Sequence, residues 1–117
     1  MLTTRPPTAK EREWLHWVSQ VPCIVCTRFH GVSTHPTEIH HLEGRTVENC
    51  HLKTIPLCTR HHRQQDNFRP KRWYSYHGDK NAFIRAYGNA EALLAMARED
   101  IDKIKSQTVG EVSYARD

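Results

Sequence analysis

The segments Thr37-Glu-Ile-His-His-Leu42 and Thr54-Ile-Pro-Leu-Cys-Thr-Arg-His-His-Arg63 decide the fold of this chain. Each contains two adjacent histidines, His40-His41 in the first and His61-His62 in the second. Neighbouring strand residues face opposite ways, and neighbouring helix residues point about 100° apart, so each pair can serve two different sites. We therefore predict two metal sites that share one short piece of backbone. One would stabilise the fold, and the other would carry out chemistry.

Two turns of matching spacing predict the stabilising site. Cys23-Ile-Val-Cys26 separates two thiolates by two residues, and Cys58-Thr-Arg-His61 repeats that spacing with an imidazole in place of one thiolate. Such a pair of turns is typical of a tetrahedral zinc site. His62 or Cys50 in place of His61 is the competing assignment. Cys50 has no partner at this spacing and fits a small buried or loop residue better.

The bulk composition limits the possible partners and compartments. The chain has 117 residues, enough for one domain, and a formal net charge of +4. Residues 60–88 hold seven basic and two acidic side chains, which indicates either a polyanion partner or a solvated basic surface. The N-terminus lacks the apolar core of a signal peptide, and the apolar run Ala92–Ala97 is too short to cross a membrane. We expect a soluble protein in a reducing compartment, where such cysteines bind metal.

Capping and periodicity predict an α+β fold with helices on both sides of the two segments. Thr8 and Glu11 form a capping box for a helix over 9–20. We predict strands over 37–42 and 51–57, a loop over 27–36, and a helix from residue 61 to about 67. Asp79 and Asn89 are expected to cap helices that begin at residues 80 and 90. Residues 1–7 form a flexible lead, 8–106 a single domain and 107–117 a polar, frayed tail.

From Cys23 to Gly88 the chain resembles the HNH (ββα-metal) endonuclease superfamily, and within it the phage recombination-enhancement (Ref-type) nucleases, which work with a RecA filament. The resemblance is carried by four motifs: Cys23-Ile-Val-Cys26, Glu38-Ile-His-His41, Thr54-Ile-Pro-Leu-Cys-Thr-Arg-His-His-Arg63, and Tyr76-His-Gly-Asp-Lys-Asn-Ala-Phe83 followed by Tyr87-Gly88. It implies a small zinc-stabilised ββα-metal finger flanked by an N-terminal helix and C-terminal helices.

The resemblance also implies a role for each histidine of the finger. His41 would be the general base, and the middle position, often Asn in such enzymes, would orient it. His51 stands closest to that position here, with Asn49 as the alternative. A divalent ion, Mg²⁺, Mn²⁺ or Zn²⁺, would be held by His40, His62 and His77. Basic side chains that could hold the flanking phosphates are Arg60, Arg63, Lys71 and Arg72.

We therefore expect a metal-dependent DNA endonuclease linked to phage or prophage recombination or repair. Its structural cofactor would be zinc, its partners DNA and a RecA-type recombinase filament, and its location the cytoplasm of a bacterial or phage-infected cell. The first alternative is a non-catalytic zinc-stabilised DNA-binding module, and the second is a purely structural fold. A binding module needs Cys23, Cys26, Cys58 and His61, whereas the surplus histidines favour the enzyme.

Overall fold

A two-stranded antiparallel sheet lies between helices. The computed structural model describes residues 6–43 and 49–116, with side chains described as far as residue 107. Its elements, in chain order, are helix α1 (Ala9–Gln20), a π-helical turn (Cys26–His30), strand β1 (Glu38–His41), a 3-10 turn (Cys50–Leu52), strand β2 (Thr54–Leu57) and helices α2 (Thr59–His62), α3 (Lys80–Tyr87) and α4 (Ala90–Arg116). This is the predicted α+β class with helices on both sides of the finger.

The hairpin of β1 and β2 sends the two histidines of β1 in different directions. His40 pairs with Ile55 and His41 with Thr54 across the antiparallel ladder. Because successive strand residues alternate between faces, His40 turns inward and is 3% exposed, whereas His41 is half-buried. The predicted alternation is therefore present, and it separates the two side chains.

Helix α1 begins and ends as predicted and packs against the hairpin. The Thr8 hydroxyl accepts from the Glu11 amide, and the Glu11 carboxylate accepts from the Thr8 amide. The indole N–H of Trp14 donates to Thr54 Oγ1 over 2.9 Å, which ties the helix to β2. Val18 is fully buried and packs with Val21 and Ile101, so α1 joins the C-terminal helix to the sheet.

One apolar core lies beneath the finger. Its largest fully buried side chains come from the turn after α1, from β2, α3 and α4: Ile24, Ile55, Leu57, Phe83 and Leu93. Each such side chain contributes roughly 1.5–3 kcal/mol when it leaves water. The caps that start α3 and α4 are confirmed, because Asp79 Oδ1 accepts from the Ala82 amide and Asn89 Oδ1 from the Ala92 amide.

Two predicted boundaries of the finger differ from the structure. The return strand begins at Thr54, not at residue 51, because Leu52 and Lys53 donate their amides to Asn49 and Cys50 and so close a 3-10 turn. The helix predicted to reach residue 67 ends at His62. Its carbonyls at His61 and His62 accept instead from the amides of residues 76 and 77, so they cannot support a further helical turn.

Two other expected irregular segments contain helix. The predicted loop over 27–36 begins inside the π-helical turn Cys26–His30. The tail expected to be frayed from residue 107 is helical as far as Arg116, in a segment without proline to stop it. Most of the polar turn expected over 43–50, and most of the flexible lead, lie outside the described residues. Within the part described, no helix combines the length and the apolarity needed to span a membrane.

Candidate metal centres

Cys23, Cys26, Cys58 and His61 form a buried cluster with the spacing of a tetrahedral metal site. The Cys26 and Cys58 sulfurs lie 3.7 Å apart, and the distances from His61 Nδ1 to the three sulfurs are 3.3–3.7 Å. Tetrahedral zinc with ordinary bond lengths places sulfurs about 3.8 Å apart and sulfur and nitrogen about 3.5 Å apart. The four donor atoms can therefore hold a metal ion, and their chemistry and spacing fit zinc.

Local structure positions each of these four ligands. Cys26 opens the π-helical turn, and its amide lies 3.5 Å from the Cys23 sulfur. Cys58 is the residue before α2, and His61 lies on the buried side of that helix. The exposed ring of His30 stacks on His61 at 5.2 Å, so this residue covers the site.

Burial and mutual hydrogen bonding set the proton affinities of the thiols. The pKa of Cys58 is lowered to about 3, chiefly because the Cys23 thiol donates a hydrogen bond to it, with His61 acting in the same sense. The same pairing with Cys58, together with burial, raises the pKa of Cys23. The cluster thus already favours a thiolate at Cys58, the form that binds metal.

His40, His62 and His77 form a second cluster on the inner side of β1. Each offers one ring nitrogen, and these atoms lie within 4.8 Å of one another. His40 Nε2 is buried and has no hydrogen-bond partner among the described residues, which fits a nitrogen that binds a metal. Burial, and then the neighbouring His62 and His77, lower the pKa of His40 to about 3. His40 is therefore neutral at physiological pH, as a metal ligand must be.

The segment after α2 brings His77 to this cluster. The His77 amide donates to the His62 carbonyl over 3.0 Å, and the His77 ring lies 4.8 Å from that of His62. Gly78 follows, and a Cβ at this position would collide with Ser75 Oγ and the Gln65 side chain. Burial, followed by the charge of His62, lowers the pKa of His77. Backbone hydrogen bonds thus align the two histidines.

Glu38 and Tyr76 contact the second cluster, and no role was predicted for either residue from the sequence. Glu38 Oε1 lies 2.8 Å from His62 Nδ1, and Arg63 donates to both oxygens of the same carboxylate. The sequence could have predicted a role for Glu38, because it stands two residues before His40 and so lies on the same face of β1. The Tyr76 ring lies 4.0 Å from the His40 ring and helps to keep it from water. Glu38 can orient His62 so that its other nitrogen points to the metal position.

His41 and His51 meet on the other side of β1. His41 Nε2 lies 3.0 Å from His51 Nδ1, and the ring centroids are 5.1 Å apart. If His41 donates this hydrogen bond, its Nδ1 carries the lone pair that can accept a proton from water. Asn49, the alternative for the middle position, has an exposed side chain and a left-handed backbone with φ of 61°.

The four predicted DNA-binding residues differ in their surroundings. Arg63 is paired with Glu38, and the Arg72 guanidinium donates twice to the buried Asp66 carboxylate at 3.2 Å. Arg60 lies over the Trp73 ring at 4.8 Å, and Trp73 itself is buried, with its N–H donated to the Gln64 carbonyl. Arg69, Lys71, Tyr74 and Arg85 line one groove. Two of the four cations are thus already neutralised by carboxylates.

Comparison with known protein families gives a match over most of the chain. A family model described as recombination enhancement, RecA-dependent nuclease, matches residues 7–102. The matched region includes both metal clusters, the His41–His51 pair and the basic groove.

Proposed function

Because this chain belongs to the recombination-enhancement, RecA-dependent nuclease family, we propose that it is a metal-dependent DNA endonuclease of the HNH type. It would hydrolyse phosphodiester bonds with His41 as the general base. The observation that carries the proposal is that two adjacent residues of β1 face two different sites. His40 faces a three-histidine cluster, and its neighbour His41 faces His51.

The second cluster supplies the metal position of this proposal. His40, His62 and His77 would hold a divalent ion, Mg²⁺, Mn²⁺ or Zn²⁺. When bound, such an ion neutralises the scissile phosphate and the charge that develops on the leaving 3′ oxygen. Three protein ligands leave coordination positions for phosphate and water. Glu38 would act only through His62, by accepting a hydrogen bond from its Nδ1 and so orienting the ring.

His41 would take the proton from the attacking water. A neutral imidazole is suited to this task at physiological pH, because it has one free lone pair and an ordinary pKa near 6.5 in unstructured peptides. The contact with His51 would hold the His41 ring in one orientation, which is the function of the middle position in HNH enzymes. His51, with Asn49 as its alternative, would thus position the base.

Zinc in the Cys23, Cys26, Cys58 and His61 cluster would be structural. The four ligands are buried, so they leave no open position for a substrate. The site would join the turn after α1 to α2, and α2 carries His62. Metal binding in a domain this small is largely folding free energy, so zinc would set the geometry of the catalytic cluster without taking part in the reaction.

DNA and a RecA-type filament are the proposed partners. The groove of Arg69, Lys71 and Arg85 would follow the phosphate backbone, because its three cations have no ion-pair partner among the described residues. Arg60, whose guanidinium lies over the Trp73 ring, would add a further phosphate contact. Arg63 and Arg72 would contribute less to affinity, since carboxylates already neutralise them.

The test is a nicking assay on single- and double-stranded DNA with Mg²⁺, Mn²⁺ or Zn²⁺, with and without a recombinase filament. His41→Ala should lose about 10²- to 10⁴-fold in rate while it retains both metals and its melting temperature. His40→Ala and His62→Ala should weaken the second metal, and excess metal should partly restore their rates. Substitution of the exposed His16 to Ala on α1 is the matched control. If His41→Ala cleaves at the wild-type rate, His41 is not the base.

The same experiment distinguishes the proposed enzyme from the alternative, a zinc-stabilised DNA-binding module. A binding module would contain one zinc per chain, bind DNA and cleave nothing under any of these conditions. An enzyme would show a second, exchangeable metal whose loss stops cleavage but leaves DNA binding intact. Absence of cleavage by the wild type with every metal, DNA form and filament would favour the binding module.

A further inference from the structure

We propose that His41, Cys50 and His51 form a third metal site, selective for thiophilic ions such as Zn²⁺ and Cd²⁺, and that an ion bound there switches the nuclease off. The switching step rests on the proposed function, because it requires His41 to be the general base. The metal site itself does not, since it depends only on the positions of three side chains.

The three donor atoms are already close together. One atom from each of the three residues lies within 4.8 Å of the other two, and His41 Nε2 and His51 Nδ1 are 3.0 Å apart. Two imidazole nitrogens on one tetrahedral zinc are about 3.3 Å apart, so this pair of nitrogens needs to move only a few tenths of an ångström to share an ion. Cys50 is 5% exposed, and both histidines are half-buried, so the site is shielded but reachable.

Backbone hydrogen bonds hold the short segment that carries the site. Leu52 and Lys53 donate to Asn49 and Cys50 and fix the 3-10 turn that presents Cys50 and His51. Thr54 Oγ1 donates to the His51 carbonyl over 3.1 Å, and Thr54 is also the residue paired with His41 in the sheet. The backbone that carries each of the three ligands is therefore held by hydrogen bonds, which lowers the conformational entropy cost of binding an ion.

The donor set determines which ions would bind. Two imidazoles and one thiolate resemble the three-ligand sets of open zinc sites. A thiolate favours Zn²⁺ and Cd²⁺ strongly over Mg²⁺ and Mn²⁺, which prefer oxygen ligands. The cluster of His40, His62 and His77 has no thiolate. Soft ions would thus be captured at the third site while a hard ion serves the second.

Capture of an ion would remove the base from the reaction. A neutral imidazole has one lone pair, and its other nitrogen carries a proton. When His41 Nε2 binds an ion, the ring proton moves from Nε2 to Nδ1, so no nitrogen of that ring can accept a proton from water. The ion would also draw His51 away from its orienting contact with His41.

Cobalt spectroscopy tests the site without reference to activity. Protein with zinc already in the four-ligand cluster is titrated with Co²⁺, and the near-ultraviolet thiolate-to-cobalt charge-transfer band is recorded. Wild type should develop the band, and Cys50→Ala should not. Cys50→Ser serves as a second variant in case Cys50→Ala fails to fold, which circular dichroism detects. A band of equal intensity in the folded Cys50 variants would come from the four-ligand cluster and would overturn the proposal.

Inhibition then tests the switch. Each protein is assayed in Mg²⁺ and normalised to its own uninhibited rate, and Cd²⁺ or Zn²⁺ is added. Loss of Cys50 should raise the half-inhibitory concentration by at least about tenfold, because even outer-shell changes cost that much metal affinity. Equal inhibition of wild type and variant would mean that soft ions act elsewhere, and the switch would be refuted. A cobalt band without any nuclease activity would leave the site standing and reject the proposed function instead.

Discussion

The Glu38–His62 contact allows the metal position to be tested through a residue that need not touch the metal. Glu38 Oε1 lies 2.8 Å from His62 Nδ1, so it holds that nitrogen and leaves the other for an ion. Loss of such an outer partner lowers metal affinity by about 10- to 100-fold, or roughly 1.4–2.7 kcal/mol. We therefore expect Glu38→Ala to weaken Mn²⁺ binding by that factor. Glu38→Gln should weaken Mn²⁺ binding less, because its amide oxygen can still accept the hydrogen bond from His62 Nδ1.

The matched control is Arg63→Ala. Arg63 donates to the same carboxylate, but its side chain is 61% exposed. Exposed ion pairs contribute about 0–1 kcal/mol, so this change should alter Mn²⁺ affinity by less than about fivefold. The pKa of Glu38 is lowered, first by the hydrogen bond from Arg63 and then by His62. Its carboxylate is thus ionised at neutral pH, and its contribution is lost only as the pH falls below the unfolded value, through the lowered pKa.

The assay is calorimetric titration of zinc-loaded protein with Mn²⁺ at pH 7, together with thermal unfolding to show that each variant is folded. Nicking rates at saturating Mn²⁺ should recover in Glu38→Ala more than at limiting Mn²⁺, because the defect lies in binding. Wild-type affinity in Glu38→Ala would refute the orienting role. Equal weakening by Arg63→Ala would show that the ion pair, not the contact with His62, is responsible.

Three further predictions follow from the structure. Cys58→Ser should lose zinc and cooperative urea unfolding together, and a variant that unfolds like wild type without zinc would contradict the structural role. The pKa of His40 is about 3 in the folded protein, whereas an unfolded histidine has a pKa near 6.5. Between these two values the unfolded state binds one proton more, so the free energy of unfolding should fall by up to about 1.4 kcal/mol for each unit that the pH is lowered. His40→Gln should remove this contribution to the slope, as measured by urea titration at each pH. Lys71→Ala should make the slope of log affinity for DNA against log salt concentration shallower by about 0.9, without a change in melting temperature. Arg72→Ala should instead lower the melting temperature, because it leaves the buried Asp66 carboxylate without its guanidinium partner.

Local rules account for what the sequence by itself determined. The capping box of α1 and the caps of α3 and α4 involve residues three apart, so the pattern of side chains predicts them directly. The alternation of a strand separates His40 from His41, and the pitch of a helix separates His61 from His62. For the same reason the spacing of cysteines and histidines suffices to propose the four-ligand set.

Tertiary structure decided everything that depends on segments distant in the chain. Helix α2 ends at His62 because its last two carbonyls accept hydrogen bonds from the amides of residues 76 and 77. The sequence near His62 gives no indication that these distant amides will bind there. Arg72 is neutralised because Asp66 lies buried beneath it, so a count of basic residues overstates the free positive charge. The meeting of His41 with His51 requires β1 to pair with β2 and the 3-10 turn before β2 to lie beside β1. Such contacts depend on which surfaces pack together, and the periodicity of residues along the chain does not predict this.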